Sequence, residues 1–531
     1  MEDSNLSLDQ PLQSAPSVRE HLSSFSLIFS ALFLAHAALL RLPYFWDEAG
    51  FYVPAAHDFF LTGDLIPHTT SAIAHPPMLT VYLAAWWKFS GYTPAVTRIA
   101  MLLVASMALL GIWRIGSVVA NRTIAVITVI CTAAYPVFFA QSTLAHLDML
   151  AAAFTLWGLA FYIERRQVAT VLFFALAGLA KETAILTPAV LVAWEVVCPL
   201  IGRSRLSLHE RDWKRTFSLA ICGIPLAIWF IYLRHRTGHF FGDPGYLHYN
   251  LGATVAPLRI VLAIGLRLWH SLGYMNLFVL TLLTAAAMLE PALSDNGTAR
   301  RRIGFPVQLV IAAVILAHIV ALSVLGGAVL ARYLLPVYPL IVLLCVSTLH
   351  RRLRWWPAAT AVVIAAFVAG LIFNPPYRFA PEDNLTYRDY VLLHKQAAAY
   401  LAQHVHDGKV LTAWPSSDEL SHPFVGYVQQ PISTVRIDNF TAEQMELAVA
   451  AQGQYDWVYL FPTKYQPPRL LFHSAFWLRM EQRFFDDHTD LPPDVAARMV
   501  GGRIVYRAQR RGEWVMLIQI EHNENAQLRR P

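Results

Sequence analysis

The sequence predicts an α-helical polytopic membrane protein that carries a C-terminal soluble α/β domain. Three observations lead there. Of 531 residues, 56% are hydrophobic and only 14% are charged, against about 25% charged in a soluble globular domain. A chain this apolar has too little polar side chain to cover itself, which excludes a soluble enzyme. About eleven apolar runs of spanning length divide residues 24–373. After residue 374 the composition turns polar and stays so to the end. Gly at 26, Pro at 31 and Cys at 4 also exclude collagen-like, disordered and disulfide-scaffold classes.

Residues 1–23 are polar and read as a disordered cytoplasmic tail. The first apolar run, 24–42, lacks a basic n-region and a small-residue cleavage site, so it reads as a retained span. Further runs fall near 95–113, 123–140, 147–163, 167–180, 183–201, 216–233, 274–290, 306–325, 333–349 and 355–373. Cys131, Cys198, Cys222 and Cys345 each lie inside such a run without metal-ligand spacing and read as small core residues. No internal repeat is visible.

Orientation follows from the basic residues. The net charge is +6, but the cations cluster in short loops: Arg114 and Arg122, Arg165 and Arg166, then Arg203, Arg205, Arg211, Lys214 and Arg215. Arg300–Arg302 and Arg351, Arg352 and Arg354 complete the series. Every second connection is basic, which puts the N-terminus in the cytoplasm and the C-terminal domain outside, in the periplasmic position. Nucleic-acid binding is not needed to explain the charge. The segment 76–90 is about fifteen residues long and reaches roughly 22 Å, short of the hydrocarbon core. Counted as a span, it would put the Arg pairs on alternating sides. It reads instead as an interfacial helix with Trp86, Trp87 and Lys88 at headgroup level. Residues 43–94 then form one external loop. Residues 234–273 form a second, with an interfacial helix over 257–270 that contains Arg259, Arg267, Trp269 and His270.

Residues 375–531 follow an α/β pattern. A helix over Tyr387–Val405 leads to the strand GKVLTAWP, a helix near 441–451 leads to DWVYLFP, and the end alternates as a β-hairpin.

Ionisable residues near membrane depth are costly, so their positions inform. Asp47 and Glu48, in PYFWDEAGFY, are adjacent carboxylates beside aromatic residues. Desolvation and mutual repulsion would both favour a general base there, and a solvated loop start is the plain alternative. His75, in AHPPM, is held in one direction by two prolines and fits a metal or a phosphate, or a structural role. His146 and Asp148 stand two apart in AHLDML, where Asp148 also suits the dipole of a helix start. Lys181 and Glu182 could pair with each other. Arg332, followed by Tyr333, is a lone external cation against the positive-inside trend. Its planar fork fits phosphate, while snorkelling to the interface would also account for it. No Walker A, HExxH, GxSxG or GxGxxG element occurs, so ATPase, zincin, serine-hydrolase and Rossmann readings have no support.

In this order, WDEAGFY (46–52), HPP (75–77), TRIA (97–100), HLDML (146–150), LAKET (179–183) and RYLLPVYP (332–339) resemble the motifs of the GT-C glycosyltransferases. More narrowly they resemble the protein O-mannosyltransferase and lipid A aminoarabinose transferase superfamily. The likeness covers about 24–373, the part that would form the GT-C-like catalytic module. It implies an inverting transfer of one sugar from a polyprenyl-phosphate carrier, on the outer face of the cell membrane, to a lipid, glycan or protein acceptor of the envelope. By the same resemblance Asp47 is the base, Glu48 shares its place, and Asp148 supports acceptor or donor binding. Lys181, Arg332 and Tyr333 fall where the carrier phosphate is held. His75 and His146 are left as metal or phosphate contacts, with a divalent metal the one cofactor considered. The chain departs from the aminoarabinose transferases at Ala74–His75, where a glutamate-lysine pair commonly precedes the prolines. Neither metal binding there nor lipid A as acceptor is therefore supported by the resemblance. A multi-span transporter or lipid flippase is the alternative reading, and an envelope assembly protein a third. Two similar halves and mid-depth broken helices, common in transporters, are not seen.

Overall fold

The computed structural model describes residues 12–200, 208, 213–295, 297–467 and 474–521. Residues 1–11 of the expected tail, and Arg203, Arg205 and Arg211 of the basic series, lie outside the described residues. By contact density the chain divides into two compact units. The first comprises residues 1–40 and 56–373, and the second comprises residues 41–55 and 374–531.

The first unit is helical. α1 (Val18–His36) starts six residues before the apolar run, because Ser17 and Glu20 close a reciprocal capping box there. α2 (Val53–Thr62) and α3 (Met78–Ser90) follow. Trp87 of α3 is buried and its indole N–H donates to Thr97 Oγ1 at 2.9 Å. That indole therefore faces protein rather than the headgroup level expected of it. α4 (Pro94–Val119) is an unbroken rod, capped by the Thr93 side chain and opened by Pro94. It packs on α7 (Leu147–Ile163) and on α5 (Arg122–Ala134).

Two apolar runs, 123–140 and 216–233, are divided in ways that hydropathy does not register. Tyr135 adopts an extended backbone before Pro136, so the run at 123–140 becomes α5 and α6 (Pro136–Gln141). α8 (Gln167–Ala180) ends at Lys181, and a 3-10 turn over Glu182–Ile185 precedes α9 (Leu186–Leu200). α10 (Trp213–Ile221) and α11 (Ile224–Thr237) run nearly end to end, and α12 (Pro244–Asn250) is short. α13 (Pro257–Leu272) and α14 (Leu277–Ala287) are separated by Met275 and Asn276, both at positive φ. A two-residue hairpin, β1 (Ser294–Asp295) with β2 (Thr298–Ala299), precedes α15 (Phe305–Val324), α16 (Tyr338–Arg352) and α17 (Trp356–Ile372).

Among the described residues five stretches are long and apolar enough to cross a membrane: 18–39, 94–119, 213–237, 257–287 and 305–324. Four shorter apolar helices, α5, α7, α8 and α17, accompany them. The difference from about eleven runs is one of length, since the remaining apolar runs form helices of fewer than 18 residues.

The second unit is built on a mixed five-stranded sheet of order β4-β3-β5-β7-β6. α18 (Thr386–His404) leads to β3 (Val410–Ala413), and α19 (Ser416–Ser421) leads to β4 (Thr434–Ile437). α20 (Ala442–Ala450) leads to β5 (Trp457–Leu460). β3 pairs parallel with β4 and β5, and the four-residue runs of β3 and β5 are buried throughout. α21 (Ala475–Phe484) and α22 (Pro493–Met499) precede the hairpin of β6 (Gly502–Arg510) and β7 (Glu513–Ile520). β7 closes antiparallel on β5. The expected helix, strands and terminal hairpin are all present.

Glu513 opens β7 with 2% exposure. Burial, and then the Asp389 carboxylate, push its carboxyl from 4.5 up to about 8. Below pH about 4.5 both folded and unfolded chains hold the proton; above pH about 8 the fold holds a charge it disfavours. Stability therefore falls as pH rises through that window. Melting midpoints in detergent should drop between about pH 5 and about pH 9, and Glu513→Gln should flatten the drop. A wild-type midpoint constant across that range would contradict this.

Candidate active site

In the first unit the ends of three elements bring charged side chains together. His146 sits at the N-terminal boundary of α7 and Asp148 in its first turn, with Asp148 buried. Lys181 follows α8 in extended backbone (φ −153°, ψ 132°), which turns its side chain off the helix axis. Arg332 and Tyr333 lie in a 3-10 turn over Ala331–Leu334. Lys181 Nζ donates to Asp148 Oδ1 at 2.6 Å. Arg332 Nε stands 3.5 Å from Asp148 Oδ2, and Arg332 Nη1 stands 3.2 Å from His146 Nδ1. The same His146 nitrogen is 2.7 Å from Gln141 Oε1.

Tyr333 is the platform between the cations. Lys181 Nζ lies 3.8 Å from its ring centroid, Arg267 Cζ 5.5 Å and Arg332 Cζ 5.8 Å. The sequence pattern places Arg267 at headgroup level in an interfacial helix. Instead α13 turns it inward and buries it completely. Its Nη1 donates to Leu330 O at 2.5 Å, while Nε and Nη2 are buried with no hydrogen-bond partner among the described residues. Arg259, eight residues earlier and also buried, has a different task. It donates to the carbonyls of Ser323, Gly326 and Gly327, which fixes the loop that leads to Arg332. Arg98, from the TRIA motif, is fully buried and donates to Thr143 O at 2.9 Å, just before His146.

His75 stands in a separate relay. Its Nδ1 is 2.8 Å from Glu182 Oε2 and its Nε2 is 3.0 Å from Tyr246 Oη. With Nδ1 protonated, His75 donates to Glu182 and accepts from Tyr246. Burial works against the Glu182 charge, but His75 and then Lys181 outweigh it and hold the carboxyl below the usual range. No group of three or more His, Cys, Asp or Glu side chains that could hold a metal ion occurs among the described residues.

Asp47 and Glu48 belong to the second unit. Their environments differ. Glu48 is fully buried, and its Oε2 accepts from the Phe45 N–H at 2.8 Å while its own N–H donates to Phe45 O at 2.9 Å. Asp47, one residue earlier, is partly exposed and opens a π-helical turn over Glu48–Tyr52. The sequence thus names His146, Asp148, Lys181, Arg332 and Tyr333, which the first unit gathers, and Asp47 with Glu48, which the second unit holds. It misses Arg267. The available signal is a pair of arginines inside an otherwise apolar helix, where an ionisable residue is a candidate by default.

No family model matches the chain, and no curated protein sequence does so. Solved structures do match. ArnT from Cupriavidus metallidurans bound to undecaprenyl phosphate aligns with a TM-score of 0.52 at 14% identity, covering 94% of this chain and 98% of that one. The apo form of the same protein aligns with a TM-score of 0.52 at 14% identity, covering 93% and 98%. A cryo-EM structure of arabinofuranosyltransferase AftD from Mycobacteria aligns with a TM-score of 0.45 at 14% identity, over 97% of this chain and 41% of that one. The chain therefore shares the fold of ArnT along nearly its whole length.

Asp148 is shared by two buried cations, so removing its charge costs more than removing either partner, about 3 kcal/mol. Asp148→Asn should accordingly lower the melting temperature in detergent by several degrees. Lys181→Met, which leaves Asp148 beside Arg332, should lower it by less. A loss in Lys181→Met as large as that in Asp148→Asn would show that the shared carboxylate is not the source of the effect.

Proposed function

We propose that the protein is an inverting glycosyltransferase that moves a sugar from a polyprenyl-phosphate carrier to an envelope acceptor at the outer face of the membrane. The observation that carries this reading is the buried cluster of Lys181, Arg267 and Arg332 around Tyr333, with Asp148 paired to Lys181 and Arg332. Such a cluster suits a phosphate, whose oxygens match the guanidinium forks. The fold shared with ArnT, a structure of which holds undecaprenyl phosphate, supports the same ligand class here.

The roles follow from the chemistry. A sugar phosphate is already an activated leaving group. Asp47 takes the proton of the acceptor hydroxyl, and the oxygen attacks the anomeric carbon opposite the phosphate. The bond between carbon and phosphate oxygen breaks with its electron pair on the phosphate, so the configuration inverts. Lys181, Arg267 and Arg332 stabilise that charge, strongly because they are fixed in place and shielded from water. Asp148 holds Lys181 and Arg332 in position, and Glu48 closes the turn beside Asp47. His146 orients Arg332, while the bonds of His75 to Glu182 and Tyr246 serve structure rather than a metal. The apolar segments make up about eleven crossings, the N-terminus is cytoplasmic, and residues 375–531 are external.

Two experiments test this. Purified protein supplied with undecaprenyl phosphate bearing a radiolabelled pentose or hexose should transfer the label, and Asp47→Ala should reduce transfer by about 10²–10⁴-fold without loss of undecaprenyl phosphate binding. Arg332→Ala and Arg267→Ala should each weaken that binding by about tenfold or more, with Arg332→Ala affecting affinity more than turnover. Unchanged affinity in both variants would remove the phosphate role, and vectorial uptake without covalent transfer would favour a transporter. Separately, a topology reporter fused at residue 208 should read cytoplasm and one at 420 the exterior; reversed signals would discard the orientation.

A further inference from the structure

The backbone around Asp47 is held in an uncommon conformation. Trp46, the residue immediately before it, has a φ of +44°. A bulky aromatic residue rarely occupies the left-handed region, and it persists there only when its surroundings leave no alternative. Immediately after Asp47 the chain makes a single π-helical turn, another feature that recurs at functional positions. Asp47 is therefore bracketed by two irregularities, and both lie in the stretch 41–55 that packs with the C-terminal residues.

The surroundings that hold Trp46 are specific. Its ring meets Trp414 at 5.7 Å and Tyr390 at 5.6 Å, both edge-on. Tyr390 is itself immobilised. It stacks on His394 at 3.6 Å, and its hydroxyl donates to Glu419 Oε1 at 3.4 Å. Glu419 Oε2 in turn takes His394 Nδ1 at 2.7 Å and Ser416 Oγ at 3.0 Å. These four side chains are fully buried. The arrangement does not resemble a hydrolase triad, because Ser416 and Glu419 both face the same nitrogen of His394. On the other side of the turn Gly50 lies so close to Trp414 that a Cβ there would stand 2.3 Å from the indole nitrogen. Upstream, the Tyr44 N–H donates to Val425 O at 3.3 Å, and Tyr427 Oη donates to Tyr44 O at 2.9 Å.

We propose that Trp46, Trp414 and Tyr390 are positioning residues: the C-terminal α/β unit is the template that fixes the backbone direction of Asp47. The inference rests on the reading of Asp47 as the base that deprotonates the acceptor. It gives the C-terminal residues a part in turnover rather than a role as a passive appendage. It also separates two carboxylates that look alike in sequence. Glu48 is built into the turn, whereas Asp47 is the one the turn presents.

Two variants of the full-length protein test it. Trp414→Ala removes the wall behind Trp46 and Gly50. Gly50→Ala removes no core side chain and strikes the same wall from the other side. Each should lower turnover with the pentose- or hexose-labelled undecaprenyl phosphate by about 100-fold, as expected when a catalytic group is misplaced by about 1 Å. The KM for that donor and the affinity for undecaprenyl phosphate should stay within about twofold. Amide exchange over residues 44–52 should accelerate, with no change in α4 or α7. Trp414→Phe combined with Gly50→Ala, which takes away the indole nitrogen that the new methyl would strike, should recover both turnover and protection relative to Gly50→Ala alone. Faster exchange with unchanged turnover would overturn the proposal, as would turnover and lipid affinity falling together. Asp47→Ala keeps the two readings apart. If it retains full turnover, the base assignment fails; if it abolishes turnover while Trp414→Ala and Gly50→Ala do not, only the positioning role fails.

Discussion

Burying Lys181, Arg267 and Arg332 around the Tyr333 ring is the constraint on which the first unit depends. A cation withdrawn from water is tolerated when it is paired and hydrogen-bonded, and Asp148 pairs with Lys181 and Arg332. The fold meets part of the demand with backbone carbonyls and an aromatic face. Leu330 O accepts from Arg267, and the Tyr333 ring lies beside all three cations. What remains is Arg267, two of whose nitrogens are buried with no hydrogen-bond partner among the described residues. On the proposed function, that is where an anion is received. The local structure follows the same logic: α7 starts and α8 ends at this cluster, and the 3-10 turn at Ala331–Leu334 brings Arg332 and Tyr333 side by side.

The second unit addresses a different physical problem. On the proposed function Asp47 is a general base, which needs access and a fixed direction more than it needs burial. Asp47 remains partly exposed while the residues on either side are tied down, Glu48 through its bonds to Phe45 and Trp46 through an aromatic wall. The parallel strands β3, β4 and β5, with the antiparallel closure by β7, provide a rigid base for α18 and α19. Those helices carry Tyr390, His394, Ser416 and Glu419. A site placed on regular elements with locked neighbours is more exact than one on a free loop.

Much of this is legible in the sequence, and the failures have causes. Apolar patterning yields a multi-helix membrane architecture because burial of apolar surface is read residue by residue. It does not register breaks within a run, because a proline after Tyr135 interrupts hydrogen bonding without changing hydropathy. The alternating C-terminal end names the β6–β7 hairpin correctly, since apolar residues at every second position fit a pleated strand and not a helix, whereas β4 (Thr434–Ile437) is missed. At the candidate site, Lys181, Arg332 and Asp148 stand out as charges beside apolar runs. Arg267 does not, because a helix with arginines and a tryptophan reads equally well as interfacial. Only packing tells whether such a face looks toward lipid or protein, and α13 turns it inward. The kinship of residues 41–55 with the C-terminal residues is also out of reach, because contacts across more than three hundred positions leave no local pattern.

The cation cluster explains a class of ligand and stops there. Guanidinium and ammonium groups read phosphate oxygens and are indifferent to the sugar those oxygens carry. A fold shared at 14% identity is equally silent on substrate, because the fold needs only the apolar pattern while selectivity resides in particular polar contacts. Discrimination between sugars must therefore come from neutral donors and acceptors, which reject a wrong hydroxyl by being left unpaired. The charged residues are the wrong place to look for it. Lys181 and Arg332 already answer to Asp148, and Arg267 has its two remaining nitrogens unpartnered within the described residues. On the proposed function, they would hold the carrier phosphate whatever sugar it bears, so carrier recognition and sugar recognition would be separable.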